Sequence, residues 1–348
     1  MPELSPARKK AQLVRAFLSG LPIGVSWQVT YACNFRCRGC SYWQDEVNFS
    51  VEARLREATL DDIRRAAQKL GELGSLIVSI GGGEPFLRRD LAQIVSAIGQ
   101  QHIPLLTTNG SLVTEQRAKE LWEAGLWGIS VSLDFSDNRM HDEHRGKPGA
   151  AERGKRALQI LSRTRTRSHQ RVNVMCVLNG RNLGQLEDLI RFAAENDSHF
   201  MIQPYTSIKN GSRMLLPAYR AVPQLLALKR RYRNFLSNPQ YLENFDRFYS
   251  QGGIGGCKAG RAFFNVDNYL NVQKCVEFRS EPVGNLRELI PEEMIHRLKD
   301  ESRRNHCKAC WYNCRGELEV LYSFRGLLAS LPTLLRNSQV PVELHRRR

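Results

Sequence analysis

Three cysteines stand close together directly after the first apolar segment of the chain. Cys33, Cys37 and Cys40 have the spacing C-x3-C-x2-C. Three thiolates on one loop can each bind a different iron of a [4Fe–4S] cluster, which normally takes four cysteines. One iron then has no protein ligand, and an open metal position is a place for chemistry. A zinc knuckle is the alternative, but it would need a fourth nearby Cys or His, and the next histidine is His102.

Polar and glycine-rich groups follow the later apolar segments in the same way. Residues 81–85 read GGGEP, residues 107–110 read TTNG, and residues 132–134 read SLD. Consecutive glycines let a backbone approach a ligand closely, and the carboxylate of Glu84 can accept a hydrogen bond from an amine. The carboxyl ends of parallel strands form the functional face of a βα barrel. We therefore expect these groups to lie beside the cysteines.

The elements that must position these groups alternate between short apolar strands and amphipathic helices. Strands are predicted over 25–30, 75–80, 103–107, 127–133, 171–177 and 200–205, with helices from Thr59 and over 114–124, 150–162 and 184–195. The helix from Thr59 begins with a capping-box pattern, since Asp62 follows three residues later. Six βα units imply a parallel sheet. A full barrel needs eight, so six form either an open barrel or a doubly wound sheet.

In this order the motifs resemble those of the radical S-adenosylmethionine (radical SAM) superfamily, over about residues 23–205. The resemblance implies an α/β fold, a partial (βα)6 TIM-like radical SAM barrel. It also implies a [4Fe–4S] cluster on Cys33, Cys37 and Cys40 that binds SAM at its open iron. One electron then cleaves SAM reductively to a 5′-deoxyadenosyl radical, which abstracts a hydrogen atom from a substrate.

The same resemblance assigns the SAM contacts. Glu84 would bind the SAM ammonium, Ser132 the ribose or the methionine carboxylate, and Arg145 the carboxylate, which an arginine fork can pair with bidentately. The expected SAM-binding set is Gly82, Gly83, Glu84, Asn109, Ser132 and Arg145. The residue patterns leave two alternatives open, namely a solvated loop arginine at 145 and a helix or turn cap at Asp134.

One position departs from the superfamily pattern. The residue before the third cysteine is usually aromatic and touches the adenine, whereas this chain has Gly39. Tyr42 or Trp43 would then supply that contact.

A second group of cysteines lies near the end of the chain. Its members are Cys257, Cys275, Cys307, Cys310 and Cys314, and the first two flank a predicted two-stranded hairpin. Four of them would close around a second metal centre, for which a zinc ribbon is the alternative. The group resembles the auxiliary-cluster extensions of radical SAM enzymes called SPASM and twitch domains. A full SPASM domain needs more cysteines, so we expect a small twitch-like domain with one auxiliary [4Fe–4S] cluster. Cys257, Cys275, Cys307 and Cys310 are the expected ligands, with Cys314 as the alternative fourth.

The expected organisation has four parts. Residues 1–22 form a basic amphipathic helix, 23–250 the barrel with a helical extension, 251–317 the auxiliary cluster domain, and 318–348 an apolar helix with a basic tail. The glycine-rich stretch 252–256 is the expected joint between the two cysteine-bearing parts.

Composition and charge narrow the function classes. The chain has 348 residues, 42% hydrophobic and 25% charged, which excludes a disordered or collagen-like protein. No run of about 18 apolar residues exists, so no membrane-spanning helix is expected. Nine cysteines, an odd number, and the lack of an export signal predict a reducing, cytoplasmic location. The net charge of +16 favours a polyanionic partner, either nucleic acid or an anionic membrane.

The predicted function is that of a radical SAM enzyme acting on a lipid or a small-molecule biosynthetic intermediate. A reductant such as flavodoxin or ferredoxin would supply the electron. The basic N-terminal helix and the apolar C-terminal segment suggest peripheral contact with the inner membrane face, unless both pack on the barrel. One alternative is a maturase of a ribosomal peptide, although such enzymes usually carry a peptide-binding domain before the barrel. The other alternative is a radical SAM enzyme acting on nucleic acid, which the charge favours although no RNA-binding motif accompanies it.

Overall fold

The computed structural model describes residues 3–44, 50–213, 215–217, 220–278, 281–323, 325 and 328. A nine-stranded sheet runs through these residues. Its strands are β1 Gly24–Thr30, β2 Ile77–Gly82, β3 Ile103–Thr108, β4 Gly128–Ser132, β5 Arg171–Leu178, β6 His199–Pro204, β7 Phe263–Val266, β8 Asn271–Gln273 and β9 Gly284–Asn285. Six of the nine correspond to the six predicted strands.

The strand order decides between the two predicted architectures. The sheet runs β6-β5-β4-β3-β2-β1-β7-β8-β9, and neighbours among β1 to β6 are all parallel. Each of these strands therefore lies beside the one that precedes it in the chain. A doubly wound sheet would reverse its direction at a switch point, and β1 to β6 contain no such reversal. The predicted partial (βα)6 barrel is confirmed.

Helices connect the strands. They are α1 Pro6–Leu18, α2 Val51–Leu55, α3 Leu60–Gly71, α4 Leu91–Gly99, α5 Glu115–Glu123, α6 Asn138–Arg145, α7 Ala150–Arg163, α8 Leu186–Glu195, α9 Val222–Arg231, α10 Pro239–Glu243, α11 Phe245–Ser250, α12 Pro291–Arg303 and α13 Asn313–Glu319. The predicted capping box is present, because Thr59 and Asp62 each accept a hydrogen bond from the other's backbone N–H. The helices predicted from 114, 150 and 184 are also present as α5, α7 and α8.

Several helices had no sequence-based counterpart, and α4 and α6 show two reasons for this. Most residues of α4 are buried, so its sequence is apolar on most sides and lacks amphipathic contrast. The opposite holds for α6, whose sequence NRMHDEHR is almost entirely polar. The single helical extension predicted over 218–248 is instead three short helices, α9 to α11, because Pro239 and the Asn-rich turns around it interrupt the chain.

The C-terminal strands continue the barrel sheet. β7 and β8 form the hairpin predicted between Cys257 and Cys275, and they pair antiparallel. β7 also pairs with β1 in parallel, with Gly24 opposite Phe263 and Trp27 opposite Val266. The buried core accordingly extends without a break from the barrel into this part of the chain. The four proposed domain boundaries remain predictions.

The other edge of the barrel sheet is covered too. The N–H of Phe200 in β6 donates to the carbonyl of Asn234 at 2.8 Å, and the N–H of Leu236 donates back to Phe200 at 2.8 Å. Phe200 and Phe235 form an isolated parallel bridge, and their rings meet edge to face. The backbone after α9 therefore covers β6 at this point.

Most of the predicted C-terminal segment and its basic tail lie outside the described residues. The described chain includes α13 and a 3₁₀ turn at Val320–Tyr322. The ring of Tyr322 packs against that of Phe17 in α1, with 4.9 Å between the ring centroids. Within the described residues, no helix is both long enough and apolar enough to cross a membrane.

Candidate active site at the carboxyl ends of the strands

A cavity of about 240 Å³ opens at the carboxyl ends of the barrel strands. Its walls contain every residue that the sequence assigned to the first site: Cys33, Cys37, Cys40, Gly82, Gly83, Glu84, Asn109, Ser132 and Arg145. These residues come from five separate segments of the chain. The sheet therefore brings together groups that are more than 100 residues apart in sequence.

The first cysteine loop is held on two sides. The N–H of Arg38 donates to the carbonyl of His144 at 2.9 Å, and the indole of Trp43 donates to the carbonyl of Cys37 at 2.9 Å. Burial raises the pKa of the Cys33 thiol to about 12, so its thiolate form needs a metal or another positive charge beside it.

The spacing of the ligand side chains bears on the choice of metal. Among the described residues, no three His, Cys, Asp or Glu side chains converge closely enough to hold a single metal ion. Zinc ligands all lie about 2.0–2.3 Å from one point, whereas thiolates around a [4Fe–4S] cluster each bind a different iron. Three separate thiols on one loop are compatible with the arrangement of ligands around an iron–sulfur cluster.

Glu84 is buried in the cavity wall and is fixed by three donors. Its carboxylate accepts from the hydroxyl of Thr108 at 2.7 Å and from the N–H groups of Asn109 at 2.7 Å and Phe86 at 3.1 Å. Burial raises the pKa of Glu84, and these donors act in the opposite direction. A buried carboxylate held in this way is ready to accept from a cation in the cavity. Thr108, which was not among the predicted site residues, is one of the groups that orient it.

The glycines before Glu84 also allow a close approach between strands, which the sequence did not predict. A Cβ at Gly82 would collide with the carbonyl of Thr30, and a Cβ at Gly83 with the carbonyl of Ala32. Gly82 also has a φ of +115°, which side-chain-bearing residues rarely adopt. These two glycines admit the end of β1, and they also line the cavity. Gly81, by contrast, has no atom within 4 Å of its Cβ position and lines the cavity.

A buried ion pair links α6 to the first cysteine loop. Nη2 of Arg145 lies 2.8 Å from Oδ2 of Asp134, and Nη1 lies 3.9 Å from Sγ of Cys37. Arg145 is therefore not a solvated loop residue. Asp134 is not a helix cap either, because its Oδ1 accepts from the N–H of Val177 and α6 is capped by Asp137. Burial disfavours the ionised form of Asp134, but the charges of Arg145, His144 and His141 and the N–H of Val177 together outweigh it and lower the pKa.

Aromatic rings lie near Gly39 in an arrangement that the sequence did not predict. Tyr42 lines the cavity and stacks on Tyr31 with 5.1 Å between ring centroids. Tyr205, at the end of β6, lies closer to Gly39, whose Cβ position is 3.2 Å from the tyrosine ring. The aromatic residue that ends the predicted strand 200–205 was the available signal for Tyr205.

A second cavity is lined by all five late cysteines: Cys257, Cys275, Cys307, Cys310 and Cys314. Burial raises the pKa of the thiols of Cys257, Cys275, Cys310 and Cys314. Electrostatic interaction with Cys310 and Cys314 also raises the pKa of Cys275, and interaction with Cys310 and Cys257 also raises the pKa of Cys314. Tyr312 lines both this cavity and the first one, so the two sites share a wall.

Comparisons with known proteins agree with this arrangement. The profile of the radical SAM superfamily matches residues 27–193. The mycofactocin maturase MftC of Mycolicibacterium smegmatis is 24% identical over 339 residues, which cover 91% of this chain and 83% of the maturase. The PqqA peptide cyclase of Bradyrhizobium diazoefficiens is 25% identical over 265 residues, covering 74% of this chain and 67% of the cyclase.

A shorter match has the higher identity. The AdoMet-dependent heme synthase of Oleidesulfovibrio alaskensis is 32% identical over 138 residues, or 39% of this chain. This match spans only about a third, 34%, of the synthase. It therefore covers a minor part of both chains.

Solved structures share the fold. Streptococcus suis SuiB bound to its precursor peptide SuiA has a TM-score of 0.61 at 18% identity, covering 82% of this chain and 67% of SuiB. A structure of anSMEcpe with bound AdoMet and a peptide has a TM-score of 0.61 at 18% identity, covering 80% of this chain and 83% of that one. Since the superfamily profile matches residues 27–193 and the cysteine loop lies at the carboxyl ends of the barrel strands, this part of the chain is a radical SAM domain.

Proposed function

We propose that this protein generates a radical from SAM in the first cavity and uses it to abstract a hydrogen atom from a substrate. The observation that carries the proposal is the convergence of nine predicted residues, from five segments, on one cavity. A [4Fe–4S] cluster on Cys33, Cys37 and Cys40 would supply the electron that cleaves SAM. A reductant such as flavodoxin or ferredoxin would reduce the cluster.

The chain's own residues would hold SAM through its charged ends. Glu84 would accept from the SAM ammonium, since its carboxylate is fixed in the cavity wall by Thr108 and Asn109. Arg145 would donate to the SAM carboxylate. Its Nε is buried and has no hydrogen-bond partner among the described residues, so a donor is available at this position. Ser132 lines the same wall and would contact the ribose or the carboxylate.

The roles proposed for Gly82, Gly83 and Asn109 are to shape the site. The side chain of Asn109 is engaged with Asn34 at 2.8 Å and with the hydroxyl of Ser111 at 2.6 Å. These contacts would orient the backbone N–H of Asn109 toward Glu84. The two glycines let β1 and β2 approach, and this approach places the cysteine loop beside Glu84.

The test is reductive SAM cleavage by the anaerobically reconstituted protein. With a strong chemical reductant, the wild type should release 5′-deoxyadenosine, and a Cys37→Ala variant should release none. Cys176→Ala is the matched control, because this thiol is buried in the core of β5 and does not line either cavity. If Cys37→Ala and wild type release equal amounts of 5′-deoxyadenosine, the proposed function is wrong.

The second cavity would hold one auxiliary [4Fe–4S] cluster on four of the five late cysteines. As the fourth ligand beside Cys257, Cys275 and Cys310 we place Cys314 ahead of the sequence-based preference, Cys307. The reason is that Cys314 interacts electrostatically with all three of these thiols, whereas Cys307 interacts with Cys310. Arg315 supports this loop, since its buried guanidinium donates to the carbonyls of Cys310 at 2.7 Å and Gly255 at 2.9 Å. A cluster with four protein ligands would transfer electrons rather than bind SAM.

We propose a peptide as the substrate, in preference to the lipid or small molecule that the sequence suggested. Two relatives that match this chain over two thirds or more of their own length are named as a maturase and a peptide cyclase. The test is to add short peptides encoded beside this gene and to measure 5′-deoxyadenosine and peptide mass. A peptide substrate should lose mass in multiples of hydrogen and increase SAM cleavage. A lipid extract that stimulates cleavage where the peptides do not would reverse this order.

A second proposal is that the protein is a cytoplasmic enzyme that makes peripheral contact with the anionic inner face of the membrane. Val14 and Leu18 of α1 are 57% and 78% exposed, and the neighbouring Phe17 meets Tyr322, from which the apolar C-terminal segment continues. Exposed apolar residues on a basic helix are typical of interfacial binding. Co-sedimentation with anionic liposomes should fall in a Leu18→Asp variant and at high salt. RNA gel shifts that persist when liposome binding fails would favour the nucleic-acid alternative.

A further inference from the structure

Residues 205–212, which follow β6 and are called the bridging segment here, contact the first cysteine loop. The side-chain amide of Asn210 donates to the carbonyl of Arg38 at 2.6 Å, and Arg38 lies between Cys37 and Cys40. The ring of Tyr205 packs against Gly39, and its hydroxyl donates to Oδ1 of Asn210 at 2.9 Å. The bridging segment is thus fixed to the loop that would hold the SAM-binding cluster.

The same segment contacts the second cysteine group. The hydroxyl of Thr206 donates to the carbonyl of Ala309 at 3.0 Å, and Ala309 lies between Cys307 and Cys310. Nζ of Lys209 lies 3.9 Å from the carboxylate of Glu277 and 5.7 Å from the centre of the Tyr312 ring. Ile208 forms part of the wall of the second cavity.

A segment held at both ends transmits displacement between them. Asn210 and Thr206 are separated by three residues, and each bonds a main-chain carbonyl within a different cysteine loop. If the second loop is ordered by a cluster, the bridging segment is ordered with it. The ordered bridging segment then already restricts the first loop, so SAM binding loses less conformational entropy. The coupling free energy between two sites is the same in both directions.

We propose that the bridging segment couples the two metal centres, so that an intact auxiliary cluster raises the affinity of the first site for SAM. The inference rests on the proposed function and names a regulation of that same site. Loss of the auxiliary cluster would therefore weaken SAM binding although its ligands do not touch SAM. Thr206 and Asn210 act as positioning residues in this coupling.

The test is a double-mutant cycle on the anaerobic protein, with the SAM dissociation constant measured by equilibrium dialysis. Thr206→Val removes the hydroxyl at nearly constant volume, and with it the bond to Ala309 and the bond from the N–H of Ile208. It should weaken SAM binding about threefold to tenfold, as expected for the loss of the bond to Ala309. Cys310→Ala, which removes an auxiliary ligand, should weaken it by a similar or larger factor. The double variant should bind SAM no more weakly than Cys310→Ala alone, because the link is already lost.

Two further variants separate positioning from general damage. Thr206→Ser keeps the hydroxyl and should bind SAM like the wild type. Asn210→Asp removes the donor to Arg38 and should reproduce the loss seen in Thr206→Val, while the iron of the first cluster is retained. The electron paramagnetic resonance signal of the reduced first cluster should shift less on SAM addition in both weakened variants. This signal reports the first site independently of turnover.

The outcomes separate the two proposals. If the effects of Thr206→Val and Cys310→Ala on SAM affinity add, the coupling is wrong while the proposed function stands. The same conclusion follows if Thr206→Val and Asn210→Asp both bind SAM like the wild type. If the wild type with both clusters does not bind SAM, the proposed function is overturned and the coupling with it.

Discussion

At the scale of single residues, the position of a motif can be predicted from the sequence, but the surroundings of each of its residues cannot. The GGGEP motif was correctly placed at the end of β2, but its three glycines meet different surroundings. Gly82 and Gly83 accommodate the carbonyls of Thr30 and Ala32, and only Gly81 of the three faces open space. No feature of the sequence distinguishes them, because the approach of β1 is a long-range consequence of the sheet.

This difference predicts opposite effects of two neighbouring substitutions. Gly82→Ala should destabilise the protein by roughly 1–3 kcal/mol or more, because the new Cβ meets Thr30 at a strained φ. Gly81→Ala should leave the melting temperature near that of the wild type but weaken SAM binding, because the new methyl group occupies cavity space. Melting temperature and SAM affinity measured on both variants check this. An unstable Gly81→Ala variant would contradict it.

At the scale of elements, hydrophobic patterning predicted the barrel strands but not all of the helices. β1 to β6 were found because buried parallel strands are short apolar runs bounded by polar groups. α4 and α6 were missed because one is buried on most sides and the other is nearly all polar. The predicted residues of the first site all line one cavity, because motifs at strand ends depend on short spacing. The contacts of Tyr205 with Gly39, of Thr108 with Glu84 and of Arg145 with Asp134 join separate segments and could not be inferred from spacing.

The loop around α13 makes a prediction about iron. If Cys314 is a ligand, Cys314→Ala should lose the auxiliary cluster and about half of the reconstituted iron, whereas Cys307→Ala should keep most of it. The reason is that Cys314 lies among the thiols of Cys310 and Cys257, with Cys275 beside it. Iron and sulfide analysis of the two variants decides the matter. The reverse result would restore the sequence-based ligand set.

The contact between α13 and α10 predicts a pH dependence of stability. Glu317 is buried against the N–H of Asn238, and burial raises its pKa to about 7. The folded protein therefore keeps a proton that the unfolded chain loses above about pH 4.5, so this contribution to stability falls as the pH rises from about 4.5 to about 7.

Glu317→Gln should remove this contribution, since glutamine stays neutral and keeps an acceptor for Asn238. Between pH 5 and pH 8, the wild type should lose roughly 2 to 3 kcal/mol more unfolding free energy than the variant. Denaturant unfolding at the two pH values measures the difference. Equal losses in the two proteins would show that Glu317 does not titrate in this range.

At the scale of the whole molecule, the main finding that the sequence did not predict is the continuity of the sheet. The late cysteines were correctly placed around a hairpin, but β7 lies directly beside β1. Sequence periodicity identifies strands and not their partners, and β1 and β7 are more than 230 residues apart. One hydrophobic cluster extends from the barrel into β7, β8 and α12, and a separate small cluster of Ala259, Ala262 and Phe263 lies beside Cys257 and Cys275.

This continuity predicts where the protein should loosen when the auxiliary cluster is lost. In Cys310→Ala, limited proteolysis should cut between α12 and α13, where the loop would lose its metal. The strands β7 and β8 should resist, because they are hydrogen-bonded into the barrel sheet. Mass spectrometry of the fragments locates the cuts. Early cleavage within 263–273 would show that the cluster, and not the sheet, holds the hairpin.

Covering both edges of the barrel sheet has a consequence for solubility. Exposed strand edges are templates for intermolecular pairing, and proteins commonly protect them. Here β7 protects β1, and the backbone around Phe235 protects β6. A shortened protein ending at residue 250 would keep the entire six-stranded barrel but expose the edge of β1. We expect it to aggregate through that edge even when its first cluster is intact, so the late strands would keep the barrel from aggregating.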